Sequence, residues 1–290
     1  MVKFIDSHSH LAFPAYDADR DEVIGRMKKE EVGAIDIGTT LETSRSAVEL
    51  ARSHDFIWAA VGIHPAFASP NPYHDPNELI EPPVVRSVNE NLQGVRELSA
   101  GPKVVAIGEC GLDYFRFKNE DLGQPTVGQP KAEFKDKQKE LLKGHIELAK
   151  EVKLPLAIHC RSSAGTQDAY DDLIEILNEH DGLSGTIHFY TGDLEHAKKF
   201  IELGFYISFS GVITFAKEYQ ELVRELPLEK ILIETDCPYA PPAPYRGGRN
   251  EPVYVIEAAR KIAEVKGLTL EGVAAQTTSN TQALFNLTAA

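Results

Sequence analysis

The sequence predicts an α/β fold, a (β/α)8 TIM barrel filling one domain over residues 1–290. Two observations carry this expectation. Short apolar runs with strand character alternate along the whole chain with longer amphipathic segments, and the runs number eight. At 290 residues and 42% hydrophobic, the chain can also bury the core that one such barrel needs.

The strand-like runs fall at 3–6, 34–39, 58–61, 104–109, 155–159, 185–189, 205–210 and 231–236. Helical periodicity marks 20–31, 44–53, a weakly patterned 84–98, 132–152, 168–179, 194–203 and 218–226, with 253–265 and 270–285 closing the chain. Such alternation is the signature of parallel strands joined by crossover helices.

Charge narrows the function. With 30 basic against 44 acidic residues, the net charge of −14 argues against a protein that coats nucleic acid or anionic membrane electrostatically. A phosphate partner must be met locally, by a few arginines or by metal. No apolar run approaches a membrane span, and the first strand begins too early to leave room for a signal peptide. A soluble, cytoplasmic protein is expected, or a nuclear one in a eukaryote. Three cysteines, without zinc-type spacing, fit a reducing compartment.

Barrel enzymes carry their chemistry at the C-terminal ends of strands. Here the strand ends carry His8 and His10, His64, Glu109, His159, His188 and Asp236. One such histidine alone is usually an ordinary satisfied polar residue. Six strand ends agreeing is not what chance gives. His8 and His10, one residue apart on a strand, share a face and can hold one metal ion; Phe4 and Asp6 would share that face. By the same alternation Glu234 points inward with Leu232 and Asp236, placed to fix a ligand histidine or a backbone group.

In order, His8-Ser9-His10, Gly62-Ile63-His64-Pro65, Gly108-Glu109-Cys110-Gly111-Leu112-Asp113-Tyr114, Ile158-His159-Cys160-Arg161, His188-Phe189 and Glu234-Thr235-Asp236-Cys237-Pro238 resemble the successive motifs of the TatD family of metal-dependent deoxyribonucleases. The likeness runs from residue 4 to Arg249-Asn250-Glu251-Pro252. It implies an amidohydrolase-like barrel acting on DNA phosphodiesters, usually as an exonuclease. It also implies two divalent metal ions, one held by His8, His10, Glu109 and Asp236, the other by Glu109, His159 and His188, with Glu109 shared.

The residue types agree with that expectation. Mixed histidine and carboxylate donors suit Mg, Mn or Zn rather than a thiolate site, and Glu109 stands where related barrels use a modified lysine. Two divalent ions against Glu109 and Asp236 leave a positive site for an anionic substrate. Asp236 is the expected proton acceptor for the attacking water. His64 and Arg161 resemble positions that contact substrate phosphate, and Arg246, Arg249 and Asn250 would rim the mouth. Cys110, Cys160 and Cys237, each following a ligand, are expected to pack.

The loops 66–83 and 115–130 are longer than the family pattern and leave substrate choice open. Single-stranded DNA or strand ends are the expected substrate. A D-aminoacyl-tRNA deacylase or other ester hydrolase on the same site is the alternative, and a non-catalytic scaffold the second.

Overall fold

The computed structural model describes residues 2–68, 75–118, 125–127 and 132–287. The strands are β1 (Phe4–Ser9), β2 (Val32–Ile37), β3 (Ile57–Val61), β4 (Val104–Asp113), a short hairpin of β5 (Arg116–Lys118) and β6 (Pro125–Val127), then β7 (Leu156–Arg161), β8 (Gly185–Ile187), β9 (Phe205–Phe209) and β10 (Ile231–Ile233). Leaving the antiparallel hairpin aside, the eight expected strands form one sheet in the order β1-β2-β3-β4-β7-β8-β9-β10, every neighbour parallel.

The sheet closes on itself just beyond β10. There Asp236 N donates to His8 O at 2.9 Å and His10 N donates to Cys237 O at 3.0 Å. Asp6 adds a side-chain stitch, its carboxylate accepting from Thr235 N at 2.9 Å and from the Thr235 hydroxyl.

The helices are α1 (Arg20–Lys29), α2 (Leu41–Ser53), α3 (Val88–Ser99), α4 (Ala132–Val152), α5 (Asp168–Asn178), α6 (Leu194–Glu202), α7 (Glu218–Glu225), α8 (Val255–Lys266) and α9 (Leu270–Phe285). Capping residues set several boundaries that periodicity placed loosely. Thr40 and Thr43 form a capping box that starts α2 at Leu41, and Ser87 with Glu90 does the same for α3. Alternation sorts the core. Val32, Ala34, Ile57, Ala59, Val61, Ile231 and Ile233 pack among the helices, while Ile35, Ile37, Ala60, Ala106, Ala157 and Leu232 form a separate buried cluster inside the barrel.

Strand β1 departs from simple alternation. Phe4 joins the helix-side cluster and Ile5 the inner one, so Phe4 and Asp6 do not share a face with His8. The cause is a register shift against β2 between Asp6 and Ser9, which re-aims the histidines inward. A second shift, between Ile107 and Cys110 of β4, accompanies Glu109. Gly111, at φ 141°, then lets β4 approach β7 so closely that a Cβ there would stand 1.9 Å from His159 O. Of the two long loops, 69–74, 119–124 and 128–130 lie outside the described residues. Among the described residues no helix is long and apolar enough to cross a membrane.

Candidate metal centre

The strand ends bring their polar side chains to one point at the barrel mouth. His8 Nε2 and His10 Nε2 lie 3.2 Å apart. Asp236 Oδ1 is 3.3 Å from His10 Nε2 and 3.9 Å from His8 Nε2. Asp236 sits at φ 55°, a left-handed conformation that Asp tolerates better than most residues, at the turn where the chain leaves the strand.

Glu109 divides the histidines between its two oxygens. Oε2 faces His8 Nε2 at 3.5 Å and His10 Nε2 at 3.8 Å. Oε1 faces His159 Nδ1 at 2.9 Å, His188 Nε2 at 3.0 Å and His64 Nε2 at 3.5 Å. One carboxylate therefore stands between two groups of imidazoles.

On two of the rings, His10 and His159, the far nitrogen is held so that a lone pair turns inward. His10 Nδ1–H donates to Ile37 O at 2.8 Å, which leaves Nε2 as the inward donor atom. His159 Nε2 lies 3.1 Å from Asp113 Oδ2, which leaves Nδ1 facing Glu109. Behind His188, Glu234 Oε1 is 3.5 Å from Nδ1 and accepts from Phe189 N at 2.6 Å. Glu234 is fully buried, and its hydrogen bond goes to the backbone.

This donor set fits divalent cations. His8, His10 and Asp236 form one group whose candidate ligand atoms lie within 4.8 Å of one another; His8, Glu109 and His188 form another. The surroundings call for positive charge. Burial opposes charging His10, yet the Asp236 hydrogen bond and the fields of Glu109 and Asp236 outweigh it and raise its pKa to about 9. Burial likewise opposes ionising Glu109, but His64 and His188 hold its carboxyl well below the usual range. The donors are nitrogen and carboxylate oxygen, while the three thiols are buried and free.

The cavity above the cluster has a volume of about 1010 Å³ and is lined by Phe13, Phe67, Phe115, Tyr219 and Tyr239 among others. His64 and Arg161 both line it. Burial pushes His64 down to about 4, and its Nδ1 accepts from Ala66 N at 3.1 Å. The Arg161 guanidinium lies 3.9 Å over the Phe115 ring.

The loop after β10 corrects the expectation for its polar residues. Arg249 is not at the mouth: Nη1 and Nη2 donate to Asp19 at 2.8 and 2.6 Å, Nη1 donates to Ala15 O at 2.7 Å, and the guanidinium covers Tyr16. A carboxylate and a backbone carbonyl occupy its Nη donors. Asn250 is fully buried, donating to Thr235 O at 2.9 Å and Tyr239 O at 2.6 Å, so it ties the loop rather than rimming the site. Arg246 lies over exposed Phe215 at 4.0 Å.

Four polar residues that support or line the site escaped the sequence. Asp113 lies within the strand-four motif and holds His159. Gln138 exchanges hydrogen bonds with the Asp113 backbone at 2.8 and 2.9 Å, and His145 Nε2 accepts from Ile63 N at 3.2 Å. Both interrupt the buried stripe of α4, Leu141, Leu142 and Ile146, and a polar residue in an apolar stripe is the signal that could have found them. The fourth, Glu78, lies on a loop with no periodicity to read.

The profile of the TatD-related DNase family matches residues 5–286. A metal-dependent hydrolase of Bacillus subtilis, YabD, is 41% identical over 287 residues, 97% of this chain and 98% of its own. The 3'-5' ssDNA/RNA exonuclease TatD of Escherichia fergusonii is 30% identical, covering 96% and 97%. Among solved structures, the TatD homologue YjjV of Escherichia coli superposes with a TM-score of 0.81 at 27% identity over 99% of each chain.

Proposed function

The chain belongs to the TatD-related DNase family of metal-dependent hydrolases, and from that premise we propose that it cleaves DNA phosphodiesters with two metal ions, working on single strands or strand ends. The observation that supports this most directly is the division of Glu109 between two histidine groups. His8, His10 and Asp236 would hold one cation, His159 and His188 the other, and Glu109 both. Bound there, a pair of divalent ions supplies Lewis acidity and neutralises charge on the phosphoryl oxygens.

The side chains do the rest. Asp236 is ionised at neutral pH: burial resists this, but the His10 hydrogen bond and the fields of His188 and His8 prevail. Its carboxylate accepts the proton of the attacking water. Arg161 and His64 orient the phosphate from the wall of the cavity. Few cationic groups line the mouth, so about two or three phosphates are neutralised on binding, giving a logarithmic salt slope near about −2.

The test is a parallel assay of purified protein, loaded with defined Mg, Mn or Zn, against end-labelled single-stranded DNA and an aminoacyl-tRNA. DNA cleavage abolished by chelation, with Asp236→Asn lowering kcat far more than it changes KM, is expected. Ester hydrolysis without DNA cleavage would overturn the proposal in favour of a deacylase.

A further inference from the structure

The cavity has two unlike walls. In a closed barrel of eight strands, β7 is fifth in the order and lies across from β1. Arg161 ends β7 and contributes positive charge to that wall. The facing wall is acidic. It is formed by residues 75–79, pinned to three separate loops around β1: Ala15 N donates to Asn77 O at 3.1 Å, the Tyr239 hydroxyl donates to Asp75 Oδ2 at 3.1 Å, and the Thr39 hydroxyl donates to Glu78 Oε1. Asp75 and Glu78 both line the cavity together with His10 and Asp236. Thr39 engages only Oε1, and among the described residues Oε2 of Glu78 accepts no hydrogen bond.

A phosphodiester inside a strand has a phosphate on each side of the scissile one. With the scissile group at the metal centre, one flanking phosphate meets Arg161, and its counterpart on the other side would meet Asp75 and Glu78. A strand terminus lacks that second phosphate and offers a sugar hydroxyl, which a carboxyl group accepts from. We propose that Glu78, together with Asp75, reads the end of the strand: the Glu78 carboxyl oxygen left over by Thr39 accepts a hydrogen bond from the terminal sugar hydroxyl, and the acidic pair disfavours the phosphate an internal site would place there. This rests on the phosphodiesterase reading and adds to it which part of the substrate is discriminated, by attraction and repulsion together.

The experiment compares single strands ending in a 3'-hydroxyl, a 3'-phosphate, a 5'-hydroxyl or a 5'-phosphate, and a closed single-stranded circle, with the metal-loaded enzyme and its Glu78→Gln variant. The wild type is expected to favour one hydroxyl end over the matching phosphate end by about tenfold or more and to spare the circle, and Glu78→Gln should bring that ratio close to one. Because the ratio is taken within each protein, a general loss of activity cancels. Asp75→Asn, expected to lower the ratio in the same direction, serves if Glu78→Gln does not fold. Equal rates on hydroxyl and phosphate ends in the wild type, or an unchanged ratio in the variants, would overturn the inference. Bis(4-nitrophenyl) phosphate has no flanking phosphate and tests the chemistry by itself: if it is hydrolysed while the end ratio is flat, only the inference fails. If neither it nor DNA is cleaved, the proposed function fails and the inference with it.

Discussion

The two sides of Glu109 are built on different principles. On the β10–β1–β2 side, His8, His10 and Asp236 come from segments that close the barrel by backbone hydrogen bonds, with buried Asp6 and Asp36 behind them. Asp36 accepts from Leu11 N and Ala12 N and shapes the loop after β1; burial raises its pKa to about 6. On the β4–β7–β8 side, His159 is aimed by the Asp113 carboxylate at the end of β4, and Glu234, just beyond β10, stands behind His188. One side is set by the backbone and the other by side chains. The second should therefore be the easier to disturb without unfolding the barrel.

The largest effect is expected where the sides meet. Glu109→Ala should remove metal from both and lower turnover by at least about a hundredfold, whereas His188→Ala should empty mainly the β7–β8 side. Metal content per chain, measured after dialysis, checks this. Two ions retained by Glu109→Ala would show that the sides are independent.

Next comes the side-chain-built half. Asp113→Asn should weaken metal affinity there by about 10–100-fold, because the His159 tautomer loses its fixed partner, and leave the His8–His10 side as it was. Calorimetric titration of metal into the metal-free variant should then resolve one normal and one weakened event. Weakening of both would mean that the distinction between the sides is wrong.

These predictions mark what the sequence could and could not tell. That His8, His10, Glu109, His159, His188 and Asp236 would converge was legible because they stand at strand ends, and their side chains meet around Glu109 at the barrel mouth. Asp113 and Glu78 were not, since a supporting contact depends on which strands become neighbours and how a loop folds back. Arg249 was misplaced for the same reason: its partner Asp19 is 230 residues away in the chain. The Asp6–Ser9 register shift has no sequence mark either, so Asp6 was put on the wrong face.

A smaller effect probes the turn that follows β7. Asp168 accepts from Ser163 N at 2.9 Å and from Lys135 Nζ, the Ser163 hydroxyl and the Thr166 hydroxyl at 2.6 to 2.8 Å. Burial alone would raise its pKa, but the Lys135 hydrogen bond and the Ser163 and Thr166 bonds hold it well below the usual carboxylate range. Asp168→Ala should cost about 1–3 kcal/mol at neutral pH. A depressed folded pKa means that this stability is fully present above the unfolded carboxylate value of about 3.9 and is lost as pH falls toward the folded value. Melting curves from pH 7 to pH 3 should show the gap between wild type and variant closing on the acid side; a constant gap would mean that the charge of Asp168 is irrelevant.

The smallest effect should come from the arginine on the opposite side. Arg249 and Asp19 form a bidentate pair whose side chains are 29% and 35% exposed, so water screens them and the pair is worth about 1 kcal/mol or less. Arg249→Ala should accordingly lower the melting temperature only slightly. Because its guanidinium is committed to Asp19 and Ala15 rather than to the cavity, KM for single-stranded DNA should stay within about twofold of wild type, an ordinary surface effect. Arg161→Ala, losing a charged donor on the cavity wall, should raise KM by about tenfold or more. Side-by-side kinetics of the two variants decide the matter. If Arg249→Ala raised KM as much as Arg161→Ala, substrate would have to reach across the β10–β1 loops as well as the β7 wall, and the division of charge between the two sides would not govern binding.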